Sequence, residues 1–478
     1  MDLMSGKRVF VVDAGGRGNA IAHAFARSNA VERVYVSPGN AGSEMIDKCR
    51  LAMVAGRPPR SIPELLAFAK EEKIDMTFVG PEGYLSEGIV NIFQEAGQRI
   101  LGPKKEAAVL ENSKCTTKDL LKSLGVPVPP CCNFEQSAEA KEYVRAFCAD
   151  NPGQGLVIKA DGLAAGKGSI VCSGEEEALS TIERIMESPR LFGPAGERIE
   201  IEKRLDGREL MFFALSDGKS VLPLESALDY KQAFSAEEAV AVRLFNKLSG
   251  NPSLDNNPNT GGMGGFSPHP WLDEELTEKI MNKIAIPTVR GFREATGHEY
   301  VGVIYFGLMI SEEREPSVLE INVRLGDPEA QVILPRLETD FYQLSEALLD
   351  GDLGGLELRW SKDYCLGICA ISGRAIKPLT SGAAVGGERP GYPGEHYTNM
   401  PISGLEKVDP RVLVYHNGTA FGQDATGKKR LFTTGGRVLT LVGRGETLAQ
   451  ARATAYENIK RIRFNGMRYR KDIGQGYV

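Results

Sequence analysis

Between Arg8 and about Gly102 the chain alternates short β-branched runs with amphipathic stretches, the pattern of a parallel sheet built from βαβ units. Strands are predicted at 8–12, 33–37, 76–80 and 99–101. Such sheets gather ligands at the carboxyl ends of their strands. Those ends carry Asp13-Ala14-Gly15-Gly16-Arg17-Gly18, Ser37-Pro38-Gly39-Asn40-Ala41-Gly42 and Gly80-Pro81-Glu82. At 478 residues the chain exceeds what one hydrophobic core holds, and about three domains are expected.

A second section opens near Glu111, and the run Gly125-Val126-Pro127-Val128-Pro129-Pro130 reads as the entry to a smaller lobe ending near Leu205. Inside it, Leu156-Val157-Ile158-Lys159, a glycine-rich turn and Ser169-Ile170-Val171-Cys172 predict a hairpin. Strands at 305–310 and 317–321 follow, then strands at 367–372 and 437–442 and a long helix at 448–461. The residues before Val9 are too few for a signal segment or a membrane span, which predicts a cytoplasmic chain without a membrane partner. A net charge of −6 argues against a broad polyanion-binding surface, so nucleic acid is not an expected partner. The eight cysteines include no CxxC pair and no His at zinc-finger spacing, and reduced thiols are expected, the adjacent Cys131-Cys132 included.

Two glycine-rich loops point to phosphate. The first, at Gly15 to Gly18, lies between a strand and a helix whose free N–H groups suit an anion, and Arg17 adds charge. It lacks GxGxxG spacing, and the second strand ends without an acidic residue, so a dinucleotide site is disfavoured. The second, Asp161-Gly162-Leu163-Ala164-Ala165-Gly166-Lys167-Gly168, has Asp161 and Gly168 where a P-loop needs Gly and Ser or Thr. Between two strands, with Lys159 upstream, it has the makings of a lid over a triphosphate.

Further on, Glu320, Asn322 and Arg324 alternate and would project from one face of a strand. Two hard oxygens suit Mg2+, and a forked guanidinium suits a carboxylate or acyl phosphate. An edge strand with a solvated face alternates in the same way, but Gly326-Asp327-Pro328-Glu329 follows directly. Upstream, Asn259-Thr260-Gly261-Gly262-Met263-Gly264-Gly265 offers backbone donors to a ligand, with Asp229 and Lys231 before it.

This ordered set of segments resembles the ATP-grasp superfamily and, within it, the phosphoribosylamine-glycine ligase (glycinamide ribonucleotide synthetase) family, over nearly the whole chain. The resemblance implies an α/β, more broadly α+β, multidomain protein. A Rossmann-like N-terminal domain would span 1–112, an ATP-grasp domain 113–345 with a mobile small lobe at about 131–205, and a C-terminal α+β domain 346–478. Lys114 and Lys159 match the family's phosphate-contacting lysines, and Gly162, Ala165, Gly166, Lys167 and Gly168 the loop over the triphosphate. Glu202, Lys203 and Leu205 match the adenine hinge and Glu209 a nucleoside contact. Glu320 and Asn322 match the ligands of Mg2+ (or Mn2+). Arg324 and Asp229 would serve the carboxylate and ammonium of glycine, forming the catalytic set with Lys159. Gly15, Gly16, Arg17, Asn40 and Glu82 would face phosphoribosylamine, with Gly262, Met263, Asp327, Pro328 and Glu329 also on the substrate side. The implied enzyme, monomer or homodimer, joins glycine to phosphoribosylamine at the expense of ATP through glycyl phosphate.

The sequence departs from that family in places. Its usual Gly-Asn-Gly-Gly-Arg-Glu-His loop is altered here at Asp13, Ala14, Gly18 and Asn19, placing an extra carboxylate where a substrate phosphate is expected. Glu82 precedes Gly83-Tyr84 in place of the customary Ala-Pro, and the segment 232–258 is longer than usual. A sister ligase using another amine or carboxylate is therefore the alternative reading. A nonenzymatic ATP-binding relative is a further one, opposed by the presence of Lys159, Glu320, Asn322 and Arg324.

Overall fold

The computed structural model describes residues 6–162, 168–248, 257–373 and 391–478 of the protein. The N-terminal part forms the expected parallel sheet, in the order Cys49–Leu51, Val31–Pro38, Lys7–Asp13, Met76–Val79, Ile100–Leu101. Four of these strands lie within two residues of their predicted bounds. Cys49–Leu51 has three residues and no β-branched run, so periodicity gave no sign of it.

Successive residues of Lys7–Asp13 face opposite ways: Phe10 and Val12 enter one core cluster, Val9 and Val11 another. A central antiparallel sheet, ordered Val221–Pro223, Arg208–Asp217, Val301–Ile310, Pro316–Asn322, divides its side chains likewise. Leu210 and Phe212 join the first cluster, Met211 and Phe213 the second. The two sheets thus share both cores.

The smaller lobe stands apart. Strands Cys131–Phe134, Ile199–Lys203, Leu156–Ala160 and Ser169–Cys172 form an antiparallel sheet that includes the expected hairpin. With helices Ser137–Asp150 and Glu175–Met186 they enclose a separate core around Ile158, Ile182, Ile185 and Ile201. A lobe with its own core has the anatomy of a body that can hinge.

A fourth sheet runs Leu228–Asp229, Gly264–Ser267, Tyr364–Ser372, Arg437–Gly445, Leu413–His416, with Met467–Arg468 also paired to Tyr364–Ser372. The helix Leu448–Ile459 packs against it, burying Leu448, Ala451, Ala455 and Ile459 with the sheet's apolar side chains. Two of its strands precede residue 345, so C-terminal residues are interleaved with central ones where Asp229 lies. The long segment 232–258 carries the helix Ala236–Leu248. The architecture is α/β and multidomain, with parallel and antiparallel sheets, and no helix among the described residues is long and apolar enough to cross a membrane.

Candidate active site

Two cavities, of about 320 and about 760 Å3, meet where Ser169, Asp229, Lys231, Asn259, Leu319 and Glu320 line both. The smaller takes in Arg17, Glu82, Lys114, Gly162, Gly168, Asn322, Arg324, Asp327 and Glu329 from the expected set. The larger takes in Lys159, Glu202, Lys203, Leu205 and Glu209. Gly15, Gly16, Asn40, Gly262, Met263 and Pro328 line neither. Ala165, Gly166 and Lys167 lie outside the described residues.

The strand Pro316–Asn322 sets the junction. Its pairing with Val301–Ile310 slips at Leu319, a bulge of the kind that re-aims side chains, and the Leu319 carbonyl accepts a hydrogen bond from Lys159 Nζ at 2.7 Å. Opposite Glu320 stands Gly307; a Cβ there would lie 2.9 Å from Glu320 Cγ, so glycine makes room for the carboxylate. Lys231 Nζ is 2.8 Å from Glu320 Oε1 and holds that carboxyl far below its ordinary range. Asn322 Oδ1 accepts from Arg324 at 3.1 Å. Among the described residues no three His, Cys, Asp or Glu side chains cluster to hold a metal unaided. Glu320 and Asn322 instead present two oxygens to a cavity where phosphate oxygens would complete a divalent shell, so the residues fit such an ion.

Lys159 is buried beside Glu202, 2.6 Å away, and Glu200, 3.5 Å away. Lys118 lies 2.6 Å from the other Glu202 oxygen and donates to the Val318 carbonyl. Burial opposes ionisation of Glu202, but Lys159 and Lys118 outweigh it and hold its pKa low; burial pushes Glu200 up. The expectation that Glu202 meets adenine is therefore revised for its side chain, which is consumed in pinning two lysines. Asp161, the residue that breaks the P-loop pattern, accepts from Ser113 Oγ at 3.1 Å and Cys115 N at 3.2 Å. It thereby takes up a free N–H in the first turn of the helix Lys114–Ser123, whose cap is Ser113.

On the opposite side, Arg324 is answered by two carboxylates, Glu111 at 2.8 Å and Glu82 at 3.3 Å. Asp229 is buried, and among the described residues its Oδ1 has no hydrogen-bond partner. Burial, then the nearby Glu329, raise its pKa well above the carboxylate range. Such a carboxyl is poised for a cation.

The altered N-terminal loop is accounted for by packing. Asp13 is buried, accepts from Gly15 N at 2.8 Å and pairs with Arg17 Nε at 2.7 Å, so its charge is spent on Arg17. Arg17 also donates to the Leu325 carbonyl at 3.2 Å, which weakens the expectation that it is free for a phosphate. Asn19 donates to Asn40 and Ser43 and accepts from His416 N. Asn40 in turn donates to the Ala14 and His416 carbonyls, making it a tie between chain segments and not the substrate contact expected. Met263 is likewise a packing residue, set against Cys369 and Ile371. Gly16 is fixed by close approach, since a Cβ would collide with Gln331 and Asn417.

Comparison with known proteins bears on the whole chain. Family models described as phosphoribosylglycinamide synthetase match its N domain at 7–111, its ATP-grasp (A) domain at 112–330 and its C domain at 388–476. A curated phosphoribosylamine--glycine ligase of Archaeoglobus fulgidus is 45% identical, covering 98% of this chain and 99% of its own. The chain belongs to the phosphoribosylglycinamide synthetase family. A solved phosphoribosylamine--glycine ligase of Thermotoga maritima superposes with a TM-score of 0.73 at 28% identity, covering 98% of this chain and all of its own. Biotin carboxylase of Campylobacter jejuni, at 16% identity and a TM-score of 0.65 over 98% of this chain and 94% of its own, shares the fold.

Against the family's motifs, Glu111, Lys118 and Arg437 are site-lining residues to which sequence reasoning gave no role. Lys231 stood in view as the partner of Asp229 in Asp229-Tyr230-Lys231, and Arg437 as the first residue of the strand predicted at 437–442. Glu111 and Lys118 sit on ordinary amphipathic helices, Lys105–Asn112 and Lys114–Ser123, and carried no signal.

Proposed function

We propose that the protein catalyses ATP-dependent ligation of glycine to 5-phosphoribosylamine, giving glycinamide ribonucleotide, ADP and phosphate in purine synthesis. The observation that carries this reading is the meeting of the two cavities at Asp229, Lys231 and Glu320. A nucleotide in the larger cavity would present its terminal phosphate to an acid and an amine in the smaller.

In this reading Lys203, Leu205 and Glu209 line the nucleoside end, while Lys114, Lys159, Gly162 and Gly168, with Ala165, Gly166 and Lys167 of the same loop, attend the phosphates. Glu320 and Asn322 would hold Mg2+, which when bound neutralises phosphate charge. Arg324 receives the carboxylate of glycine and Asp229 its ammonium. Glu82, Gly15, Gly16 and Arg17 stand on the side of phosphoribosylamine, with Asp327 and Glu329 between the substrates. The three parts are read as 1–112, 113–345 and 346–478, the small lobe 131–205 closing over the nucleotide.

The chemistry follows from charge. A glycine carboxylate oxygen attacks the γ-phosphorus of ATP, the bond to the β-phosphate oxygen breaks, and ADP leaves. The amine of phosphoribosylamine then attacks the acyl carbon of glycyl phosphate, loses a proton, and phosphate departs as the amide forms. No nucleophile of the protein enters either step; Lys114 and Lys159 stabilise charge, and closure of the small lobe excludes the water that would hydrolyse the acyl phosphate.

The test is ADP release by the purified protein with Mg2+ and glycine, with and without freshly generated phosphoribosylamine, while product mass is followed. Glycinamide ribonucleotide formed one-for-one with ADP is expected. ADP release that depends on another amine or carboxylate would overturn the substrate assignment in favour of a sister ligase.

A further inference from the structure

The glycine-rich wall of the smaller cavity is held from a distance. Gly261 lines that cavity, and both of its backbone polar groups are taken by C-terminal side chains: its N–H donates to Tyr392 Oη at 2.9 Å, and its carbonyl accepts from Arg437 Nη1. The same Arg437 nitrogen donates to the Asp327 carbonyl at 2.6 Å, and Arg437 Nη2 lies 3.3 Å from Asp327 Oδ2. One guanidinium therefore joins two loops more than sixty residues apart in sequence, those at Gly261 and Asp327.

The fit around this link is close. A Cβ on Gly436 would meet the Tyr392 ring at 2.3 Å, so Arg437 follows a residue pressed against that ring. Gly262, next to the held residue, has φ +107 and leaves no space on its cavity-adjacent side: a Cβ would reach Pro328 Cδ at 2.3 Å and Asp229 Oδ1 at 2.9 Å. The oxygen it would reach is the unpartnered one of Asp229. Thr260, one residue before, bonds the Lys231 carbonyl through both its N–H and its hydroxyl. The loop 260–262 is thus fastened to Lys231 at one end and to the C-terminal residues at the other, with Asp229 and Asp327 on its flanks.

We propose that Tyr392 and Arg437 are positioning residues for the acceptor side of the site, fixing the Gly261–Gly262 wall and Asp327 against Asp229 so that the two non-nucleotide substrates are held in register. This rests on the ligase reading given above. Tyr392 and Arg437 accordingly contribute to the geometry of acyl transfer, and neither lines the cavity given to the nucleotide. A loss of register of even about 1 Å at such a wall is enough to cost a large factor in rate or apparent affinity.

The experiment uses the full-length protein with saturating Mg2+ and ATP and varies glycine and phosphoribosylamine separately. Arg437→Met is expected to raise KM for one or both of these substrates by about tenfold or more while KM for ATP stays within about twofold. Arg437→Lys, which keeps charge but not the fork, should recover only part of the loss. Tyr392→Phe removes one hydroxyl and no packing, and should shift the same KM values in the same direction by a smaller factor with an unchanged melting temperature. Melting curves of all three variants accompany the kinetics. Unchanged KM for glycine and phosphoribosylamine in folded Tyr392→Phe and Arg437→Met would overturn the proposal, as would losses that fall equally on ATP. Failure of the unaltered protein to form glycinamide ribonucleotide would instead strike the ligase reading, which keeps the two failures distinguishable.

Discussion

At the scale of single residues, Asp229 shows what burial does to a carboxyl that awaits a partner. Its Oδ1 has no hydrogen bond among the described residues, and burial with Glu329 alongside raises its pKa well above the usual range. Lys231, the nearest cation, is committed to Glu320 at 2.8 Å. An incoming ammonium would supply the missing positive charge and lower the carboxyl's pKa, so that its proton leaves to solvent. Asp229→Asn keeps the shape and the neutral state, so folding stability should hold or rise slightly. Glycine binding should lose the benefit of a desolvated ion pair, about 2 kcal/mol or more, which is roughly 30-fold in KM. Steady-state kinetics at saturating ATP check this, and an unchanged KM for glycine would remove Asp229 from the glycine site. Asp13 teaches the converse: a carboxylate that looked misplaced beside a phosphate loop is neutralised by Arg17 at 2.7 Å and bound by Gly15 N–H.

At the scale of elements, the strand Pro316–Asn322 carries the two oxygens proposed for the metal, and its geometry depends on two features the alternation of residues did not reveal. One is the bulge at Leu319, which frees a carbonyl for Lys159; the other is Gly307 across the ladder. Gly307→Ala would place a methyl 2.9 Å from Glu320 Cγ in an otherwise regular strand, so the flexible Glu320 side chain is what must yield. The expected result is a Mg2+ requirement raised by about an order of magnitude with little change in melting temperature, since the first consequence is a displaced ligand and not a cavity. Titration of activity against Mg2+ decides it, and a superimposable curve would show that Glu320 does not need that space. The same strand explains which parts of the site were legible. Glu320 and Asn322 could be read because period two puts them on one face of the strand, whereas Arg324, expected on the same face, lies beyond the strand's end and joins them by bonding Asn322. Lys159 with Gly168 could be read because a glycine-rich turn between two strands has few other uses. Glu111 and Lys118 could not be read, because Glu111 meets Arg324 from 213 positions away and Lys118 reaches Val318 from 200. Local spacing holds no record of such contacts. The fourth sheet was half legible for a similar reason: Tyr364–Ser372 and Arg437–Gly445 have strand-like patterns, whereas the glycine-rich Gly264–Ser267 gains its place by pairing with Tyr364–Ser372, and the two-residue Leu228–Asp229 by pairing with Gly264–Ser267.

At the scale of the whole molecule, C-terminal residues are fastened to the rest through contacts that include three histidines, His269 and His416 buried and His23 partly so. His23, on the first helix of the N-terminal sheet, bonds Tyr415 of Leu413–His416 through Nδ1 at 3.2 Å. His416 has its N–H held by Asn19 and its ring by Thr419, and His269 lies against Phe266 and Tyr477 near the chain's end. Burial lowers each of the three from 6.5 to about 4, with Arg27 adding to the effect at His23 and Arg208 at His269. The unfolded chain therefore binds more protons than the folded one between those values, and stability must fall as pH falls through that window. The contribution is complete above pH 6.5, is lost progressively toward pH 4, and changes no further below it. Because all three rings lie where C-terminal residues dock, acid should loosen that docking first, and with it the hold of Arg437 and Tyr392 on the substrate wall. Melting temperature measured from pH 7 to pH 5 sets the three histidines, which lower stability as protons are added, against Glu200 and Asp229, whose raised pKa values work the other way, so the histidine share is read by difference between the protein and a histidine variant. His416→Gln keeps a side chain able to bond Thr419 but not to take a proton, so acidification from pH 7 to pH 5 should lower its melting temperature less than that of the unaltered protein. An identical pH dependence of melting in His416→Gln and the unaltered protein would mean that this ring exchanges protons as freely in the folded protein as in the unfolded one.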